Sequence, residues 1–251
     1  MHRFFITPEL FASDTPTLPA QIARQINTVL RLRPGEQIII LDGQGMEADL
    51  ELTEVSSAAV AGRVVERRPS QGEPRARLVL CQGLLKAEAF EWVLQKGTEL
   101  GVSAFVPVLS RRSMPGLEEI SPAKMDRWRT ILREAAEQCR RGLIPTLSQV
   151  QPLMHALASR PADALAFMPW EECSGPSLQN AMRAALANAS SAPTPSVYLF
   201  IGPRDGLLAE EVQLAERHGV QAVTLGQRIL RAETAALAAA TIVLSEFGEM
   251  G

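Results

Sequence analysis

Residues 225–244 read LGQRILRAETAALAAATIVL, and this stretch determines how the second half of the chain is interpreted. A run typical of a β-strand, VQAVTLG (residues 220–226), leads into it, and an alanine-rich segment typical of a helix follows. Arg228, Arg231 and Glu233 lie at the junction between the two. Positive charge is unfavourable at a helix N-terminus because of the helix dipole, so we expect a negatively charged group near these arginines.

Strand-like and helix-like segments alternate through the region that precedes this stretch. The other strand-like runs are RLVLCQG (residues 77–83), AFVPVL (104–109), ALAFM (164–168) and SVYLFIG (196–202). Strands that alternate with helices at this spacing predict an α/β fold with a largely parallel sheet. Because ligands of such sheets bind beyond the carboxyl ends of the strands, the loops that follow the strands are the candidate site.

The first 70 residues have a different pattern. Short strands are predicted at RFFI (residues 3–6), in a hairpin over residues 36–55 and at AVAGRVVERR (59–68), with one helix over residues 19–33. A few short strands and one helix in this length predict a small β-barrel. Residues 68–76 contain two prolines and a glycine and are typical of a linker. We therefore predict an N-terminal domain over residues 1–70 and an α/β domain over residues 71–251.

Composition limits the classes of protein to which the chain can belong. Its 251 residues carry a formal net charge of −3, which argues against a protein that coats nucleic acid non-specifically. No apolar run reaches the roughly 18 residues of a membrane span, so we expect no transmembrane helix. The three cysteines lack the spacing of metal ligands, so we expect no metal site and free thiols in a reducing cytoplasm.

Three of the loops that follow predicted strands contain unusual residues. They are FMPWEEC (residues 167–173), FIGPRDGL (200–207) and LGQRILRAE (225–233). Gly202 and Gly206 allow the backbone to come close to a ligand, although a glycine turn of this kind also occurs in ordinary strand-to-helix connections. The chain has neither the G-x-G-x-x-G fingerprint of dinucleotide-binding proteins nor a Walker A loop at this position, which makes an NAD-dependent enzyme a poor alternative.

Several stretches together resemble one known family. They are MHRFFI (residues 1–6), VLRLRPGEQIIILDG (29–43), KAEAFEWVLQKGTELGVSAFVPVLSRRS (86–113), REAAEQCRR (133–141), FIGPRDGL (200–207) and LGQRILRAETAALAA (225–239). In this order they look like the corresponding stretches of the bacterial ribosomal RNA methyltransferases that methylate N3 of a uridine in 16S ribosomal RNA. That family belongs to the knotted SPOUT superfamily of S-adenosylmethionine enzymes, and the resemblance covers essentially residues 1–251.

The resemblance implies a fold, a cofactor and partners. It implies an N-terminal PUA-like RNA-binding β-barrel and a C-terminal methyltransferase domain whose last helix threads a loop to form a deep trefoil knot. It also implies a homodimer with active sites at the subunit interface, S-adenosylmethionine as the cofactor, and 16S ribosomal RNA of the small ribosomal subunit as the substrate. The implied cofactor-binding residues are Phe167, Met168, Pro169, Ile201, Gly202, Pro203, Gly206, Leu225, Gly226, Ile229, Leu230 and Arg231.

The reaction requires that N3 of uracil be aligned with the methyl group and lose its proton. N3 is mildly acidic, so a modest base, or a cation that stabilises the uracil anion, suffices. The candidates for the cation are Arg231 and Arg141. Glu137 is the candidate base, with Glu233 next. Glu137 and Arg141 are four residues apart and share one helix face, an arrangement that an ordinary surface ion pair would also explain.

Six basic residues are the candidates for contact with RNA: Arg3, Arg31, Arg33, Lys96, Arg111 and Arg112. The pair Arg111 and Arg112 follows a predicted strand and therefore lies on the ligand side of the sheet, although solvated loop charge is the alternative.

Two other functions remain open. One is a SPOUT methyltransferase that acts on another position of ribosomal or transfer RNA. The other is a non-catalytic RNA-binding factor for ribosome assembly, which is favoured by Arg204 and Asp205 because the family usually carries glutamate and glycine there. Cofactor binding would separate an enzyme from such a factor.

Overall fold

The computed structural model describes residues 1–56, 59–113, 120–188 and 195–250. They form two compact units, the first made of Met1–Glu73 and Arg133–Ile144 and the second of Pro74–Leu132 and Pro145–Gly251. The segment Arg133–Ile144 thus joins the first unit, although it lies far along the chain inside the range assigned to the α/β domain. The division into functional domains at residue 70 stays a prediction, because compactness alone does not show what each part does.

The first unit contains a four-stranded sheet. Its strands are β1 (Arg3–Phe5), β2 (Gln37–Leu41), β3 (Met46–Val55) and β4 (Val60–Pro69). β1 pairs with β2 in parallel, and β2, β3 and β4 pair in antiparallel order, which confirms the predicted hairpin. Residues 14–18 run along the edge of β4, where the N–H of Leu18 donates to the carbonyl of Val60 at 2.8 Å. Closure of these strands into a barrel stays a prediction.

The helical part of the first unit differs from the single helix predicted over residues 19–33. It consists of α1 (Pro8–Ala12) and α2 (Ala20–Arg24), and α2 continues as a π-helical turn over Gln25–Leu30. A π-helical turn is wider than an α-helical one and rotates the residues that follow it. Ile26 is buried with the strands, while Val29, three residues further on, is 71% exposed.

The second unit is built on a seven-stranded parallel sheet. Its strands are β5 (Leu78–Gly83), β6 (Ala104–Leu109), β7 (Thr146–Leu147), β8 (Gln151–Pro152), β9 (Leu165–Pro169), β10 (Val197–Ile201) and β11 (Gln221–Val223). The order is β11-β9-β10-β5-β6-β7, with β8 also paired to β6, and every ladder is parallel. The predicted α/β fold with a parallel sheet is confirmed.

Helices lie between these strands and after the last of them. They are α3 (Ala87–Leu100), α4 (Pro122–Gln138), α5 (Leu153–Ala158), α6 (Leu178–Asn188), α7 (Ala209–Arg217) and α8 (Ala232–Glu246). The alanine-rich α8 packs against α3, α6 and the strands β5 and β10, and its alanines Ala236, Ala239 and Ala240 are fully buried. The implied knot stays a prediction, because sheet order and helix contacts do not define how α8 threads a loop.

We find no helix with the length and apolar character of a membrane span in the part of the chain that the structure describes.

Candidate functional site

A cavity of about 310 Å³ lies at the carboxyl ends of three neighbouring strands, β9, β10 and β11. Its walls are the loops that follow these strands and the start of α8. The lining residues are Pro169, Trp170, Glu171, Ile201, Gly202, Pro203, Arg204, Asp205, Gly206, Leu207, Thr224, Leu225, Gly226, Arg228, Ile229, Leu230, Ala232 and Ala235. This volume lies at the lower end of the range of about 300–1,000 Å³ that is typical of small-molecule sites.

The loop that follows β10, residues 202–208, forms one wall, and we call it the cofactor loop because the sequence predicts that it contacts a cofactor. The N–H of Gly206 donates to the carbonyl of Pro203 at 3.0 Å and closes a tight turn. Gly206 has a φ of 73°, in the left-handed region that glycine adopts without strain. A Cβ atom at Gly206 would also meet the carboxylate of Glu171, an exposed side chain that can move aside, so the positive φ is the main reason for glycine here.

The end of β5 supports the start of the cofactor loop. Gln82 is 1% exposed, and its Nε2 atom donates to the carbonyl oxygens of Gly83 at 3.0 Å and Gly202 at 3.3 Å. Gly83 is the point of closest approach, because a Cβ atom there would overlap the backbone nitrogen of Pro203 and lie 2.7 Å from the carbonyl carbon of Gly202. A glycine in β5 thus lets this strand lie directly against the cofactor loop.

The loop that follows β11, residues 224–231, forms the opposite wall, and we call it the rim loop. Thr224 Oγ1 accepts a hydrogen bond from the N–H of Gly226 at 3.1 Å. Ile229 is 85% exposed although it is apolar, and Arg228 beside it is also exposed. Arg231 caps the N-terminus of α8 through its backbone and is exposed.

Nine of the twelve cofactor-binding residues predicted from the sequence line the cavity. They are Pro169, Ile201, Gly202, Pro203, Gly206, Leu225, Gly226, Ile229 and Leu230. Phe167 and Met168 are buried in β9, at 2% and 0% exposure, and like Arg231 they are not among the lining residues. The sequence analysis singled out the loop that contains Trp170 and Glu171 but did not name these two residues, which follow directly after β9, as ligand contacts. Their position one and two residues beyond a strand end was the available signal.

Charged residues of both signs line the same cavity. Glu171 and Asp205 contribute carboxylates, and Arg204 and Arg228 contribute guanidinium groups. Together these groups suit a ligand that carries both an ammonium and a carboxylate group.

The predicted catalytic residues are divided between the two units. Glu137 and Arg141 belong to the first unit, whereas Arg231 and Glu233 belong to the second. Glu137 accepts the N–H of Phe5 at 3.0 Å, and burial raises the pKa of its carboxyl above the ordinary value of 4.5 although this hydrogen bond lowers it. The side chain of Arg141 is 4% exposed and forms an ion pair with Glu73 at 2.8 Å. Glu233 is half-buried in the first turn of α8. The catalytic roles of these residues stay predictions.

The residues predicted to bind RNA have different surroundings. Arg31 and Arg33 are exposed, and Arg31 adopts a left-handed φ of 55° where the π-helical turn ends. Arg3 instead forms an ion pair with Glu47, and both side chains are only 10% exposed. Lys96 pairs with Glu99 at 2.7 Å and lies over the ring of Trp92.

Arg111 and Arg112 lie at the carboxyl end of β6, as predicted, and both contact the cofactor loop or the helix that follows it. Their predicted role in RNA binding therefore competes with a role inside the protein.

Comparison with known proteins shows that almost the whole chain is similar to one group of enzymes. A family model described as an RNA methyltransferase domain matches residues 72–244. The curated ribosomal RNA small subunit methyltransferase E of Bacillus subtilis is 34% identical over 97% of this chain and 96% of its own length. The crystal structure of a ribosomal RNA small subunit methyltransferase E from Neisseria gonorrhoeae, bound to S-adenosylmethionine, superposes with a TM-score of 0.85 at 30% identity and covers 98% of both chains.

A methyltransferase from Legionella pneumophila, solved with bound S-adenosylmethionine, gives a TM-score of 0.83 at 27% identity over 97% of both chains. The likeness therefore extends over the residues of both compact units and is not confined to one motif.

Proposed function

The chain belongs to the RNA methyltransferase family, and from this premise we propose that it transfers a methyl group from S-adenosylmethionine to N3 of a uridine in the 16S ribosomal RNA of the small ribosomal subunit. The observation that carries the proposal is the cavity at the carboxyl ends of β9, β10 and β11. Its three walls are the same loops that the sequence singles out, in a chain similar over 98% of its length to a structure with bound S-adenosylmethionine.

The lining residues fit this cofactor. The turn between Gly202 and Gly206 allows the backbone to contact a ligand closely, and Leu225, Ile229 and Leu230 offer apolar surface to the adenine ring. The carboxylates of Glu171 and Asp205 suit the ammonium group of the methionine part. The guanidinium groups of Arg204 and Arg228 suit its carboxylate.

When it is bound, S-adenosylmethionine supplies an electrophilic methyl group on a sulfonium ion. The protein has to orient the uracil ring and stabilise the charge that develops as N3 loses its proton. We assign the second task to Arg231, which is exposed where the rim loop meets α8. Glu233 is the candidate proton acceptor of the second unit. Glu137 belongs to the first unit, and its role as the base stays a prediction from the sequence.

We also propose that the protein works as a homodimer. The half-buried residues Leu237, Ala238 and Ile242 of α8 and the 85% exposed Ile229 offer apolar surface to a second copy. The exposed Arg31 and Arg33 of the first unit are available to RNA phosphates. A cytoplasmic location follows from the proposed substrate.

Methylation of small subunits tests the proposal. Purified protein and tritium-labelled S-adenosylmethionine are incubated with small ribosomal subunits from a strain that lacks the modification, and the RNA is then read by primer extension. We expect one strong stop at a single uridine, because N3 methylation blocks Watson–Crick pairing. Fully modified subunits serve as the control and accept no label.

Two results would replace the proposal with the alternatives. Cofactor binding with methylation at another nucleotide would indicate a different RNA target. The absence of cofactor binding in calorimetry would favour the non-catalytic assembly factor that Arg204 and Asp205 suggest.

A further inference from the structure

The middle of the cofactor loop is held by an arginine from a neighbouring loop. Arg112 lies just after β6, and its Nη1 atom donates to the carbonyl oxygen of Asp205 at 2.8 Å. Asp205 lines the cavity and directly precedes Gly206, the residue whose left-handed φ sets the turn. A guanidinium group that donates to a carbonyl forms a charge-assisted hydrogen bond, which is stronger than a neutral one.

The end of the cofactor loop is held by a buried carboxylate. Glu211 of α7 is 6% exposed, and its two oxygens accept from two different backbone N–H groups. Oε2 accepts from Leu208, the last residue of the loop, at 3.0 Å, and Oε1 accepts from Arg111 at 2.9 Å. One side chain thus joins the end of the cofactor loop to the loop that carries Arg112.

The cofactor loop is therefore attached at its start, middle and end. Gln82 holds the carbonyl of Gly202, Arg112 holds that of Asp205, and Glu211 holds the N–H of Leu208. All three contacts are to backbone atoms, so they fix the shape of the loop whatever its side chains are. A site that is already in its bound shape loses less conformational entropy when the ligand binds.

We propose that Arg112 is a positioning residue for the cofactor, one that keeps the cofactor loop in its binding shape through Asp205, and that Glu211 supports the same contact from the end of the loop. The inference rests on the proposed function, because it assigns the cavity to S-adenosylmethionine. It is an alternative to the RNA-binding role predicted for Arg112, whose exposed guanidinium group uses one of its donors on Asp205.

Calorimetric titration of S-adenosylmethionine tests this inference. Arg112→Met keeps the length of the side chain and removes its donors, and we expect the Kd for the cofactor to rise about tenfold, the size of one charge-assisted hydrogen bond. Arg112→Lys retains one donor and should restore part of the affinity. In methylation assays, Arg112→Met should raise the KM for S-adenosylmethionine more than it lowers kcat.

Arg111→Met is the matched control. The side chain of Arg111 pairs with the exposed Glu210, while the contact to Glu211 uses its backbone N–H, which the substitution leaves in place. The Kd for the cofactor should therefore stay within about twofold of wild type, as expected for the loss of an exposed ion pair.

The opposite pattern would overturn the inference. If Arg112→Met leaves the Kd for S-adenosylmethionine unchanged, weakens RNA binding and lowers the salt dependence of that binding by about one counterion, then Arg112 is a phosphate contact. If the wild type itself binds no S-adenosylmethionine, the proposed function fails. Hydrogen exchange of the amides in residues 202–208 then decides separately whether Arg112 holds the loop. Faster exchange in Arg112→Met would support the loop contact, and unchanged exchange would exclude it.

Discussion

The cofactor loop and the rim loop line one cavity but are built differently. Side chains from β5, from the loop after β6 and from α7 hold the cofactor loop, and the backbone of Pro203 leaves no room for a Cβ atom at Gly83. In the rim loop, a Cβ atom added to Gly226 would meet nothing within 4 Å, and Ile229 is 85% exposed. Both loops contain a glycine with positive φ, so the difference lies in what surrounds each glycine.

This difference indicates that the two loops contribute to ligand binding in different ways. A wall that is already rigid provides affinity and orientation, because little entropy is lost when a ligand binds to it. A wall with exposed apolar surface gains its contacts only when a ligand, the RNA or a second subunit covers it. Substitutions in the first wall should therefore alter the free protein, and substitutions in the second should alter mainly its complexes.

The largest effect is expected for Gly83→Ala. The new Cβ atom would overlap the backbone of Pro203, which cannot move without shifting the cofactor loop. We expect the free energy of unfolding to fall by about 2–3 kcal/mol, the cost of overpacking a rigid site, and cofactor binding to be lost. Urea unfolding and calorimetry measure the two effects. Wild-type cofactor affinity in this variant would show that the cofactor loop is not rigid.

A smaller effect is expected for Glu211→Gln. The amide keeps one acceptor but directs an NH₂ group towards one of the two backbone N–H donors of Leu208 and Arg111. This should lower the free energy of unfolding by about 1–2 kcal/mol in urea titrations. Glu210→Gln is the control, because Glu210 is 73% exposed and should change stability by less than about 0.5 kcal/mol. Equal effects from the two variants would contradict the role of Glu211.

Gly226→Ala should lower the free energy of unfolding by less, because the only penalty is the strain of an alanine at positive φ. Gly226 has a φ of 108° and no close neighbour, so we expect about 1 kcal/mol of strain. Gly35→Ala, with a φ of 89° and equally open surroundings in the first unit, is the matched control for thermal unfolding. A loss far above that of Gly35→Ala would mean that the rim loop is as tightly held as the cofactor loop.

The smallest effect on stability is expected for Ile229→Ser. The side chain is already exposed, so the free energy of unfolding should change by less than about 0.5 kcal/mol. The affinity of this variant for the cofactor or for a second subunit should fall, because the substitution removes apolar surface that is buried in the complex. Calorimetry and analytical ultracentrifugation measure these affinities. A lower unfolding temperature without any change in binding would contradict the conclusion that the rim loop gains its contacts only in complexes.

The sequence predicted the positions of these loops but not their supports. Alternation of strands and helices placed the site at the carboxyl ends of β9, β10 and β11, because in parallel sheets those ends lie together. The alternation pattern could not show that Phe167 and Met168 are buried while Trp170 and Glu171 line the cavity. The environment of these residues depends on the residue at which β9 ends, which the pattern does not define.

Local sequence patterns could not predict contacts between residues that are far apart in the chain. Glu211 looks like an ordinary acidic residue in the first turn of a helix, and only the fold brings the backbone of Arg111 to it. In the same way, no local signal shows that Arg133–Ile144 packs with the first unit. The strands β7 and β8 have two residues each and are too short to give a pattern.

The position of the rim loop along the chain also determines when the cavity is completed during synthesis. The supports of the cofactor loop, from Gln82 to Glu211, leave the ribosome first, whereas Ala232 and Ala235 of α8 follow later. A nascent chain that ends at Val220 would contain the loops after β9 and β10 but would lack the rim loop. Since a ligand stabilises only the species that binds it, S-adenosylmethionine would stabilise chains that include the rim loop over chains that stop before it.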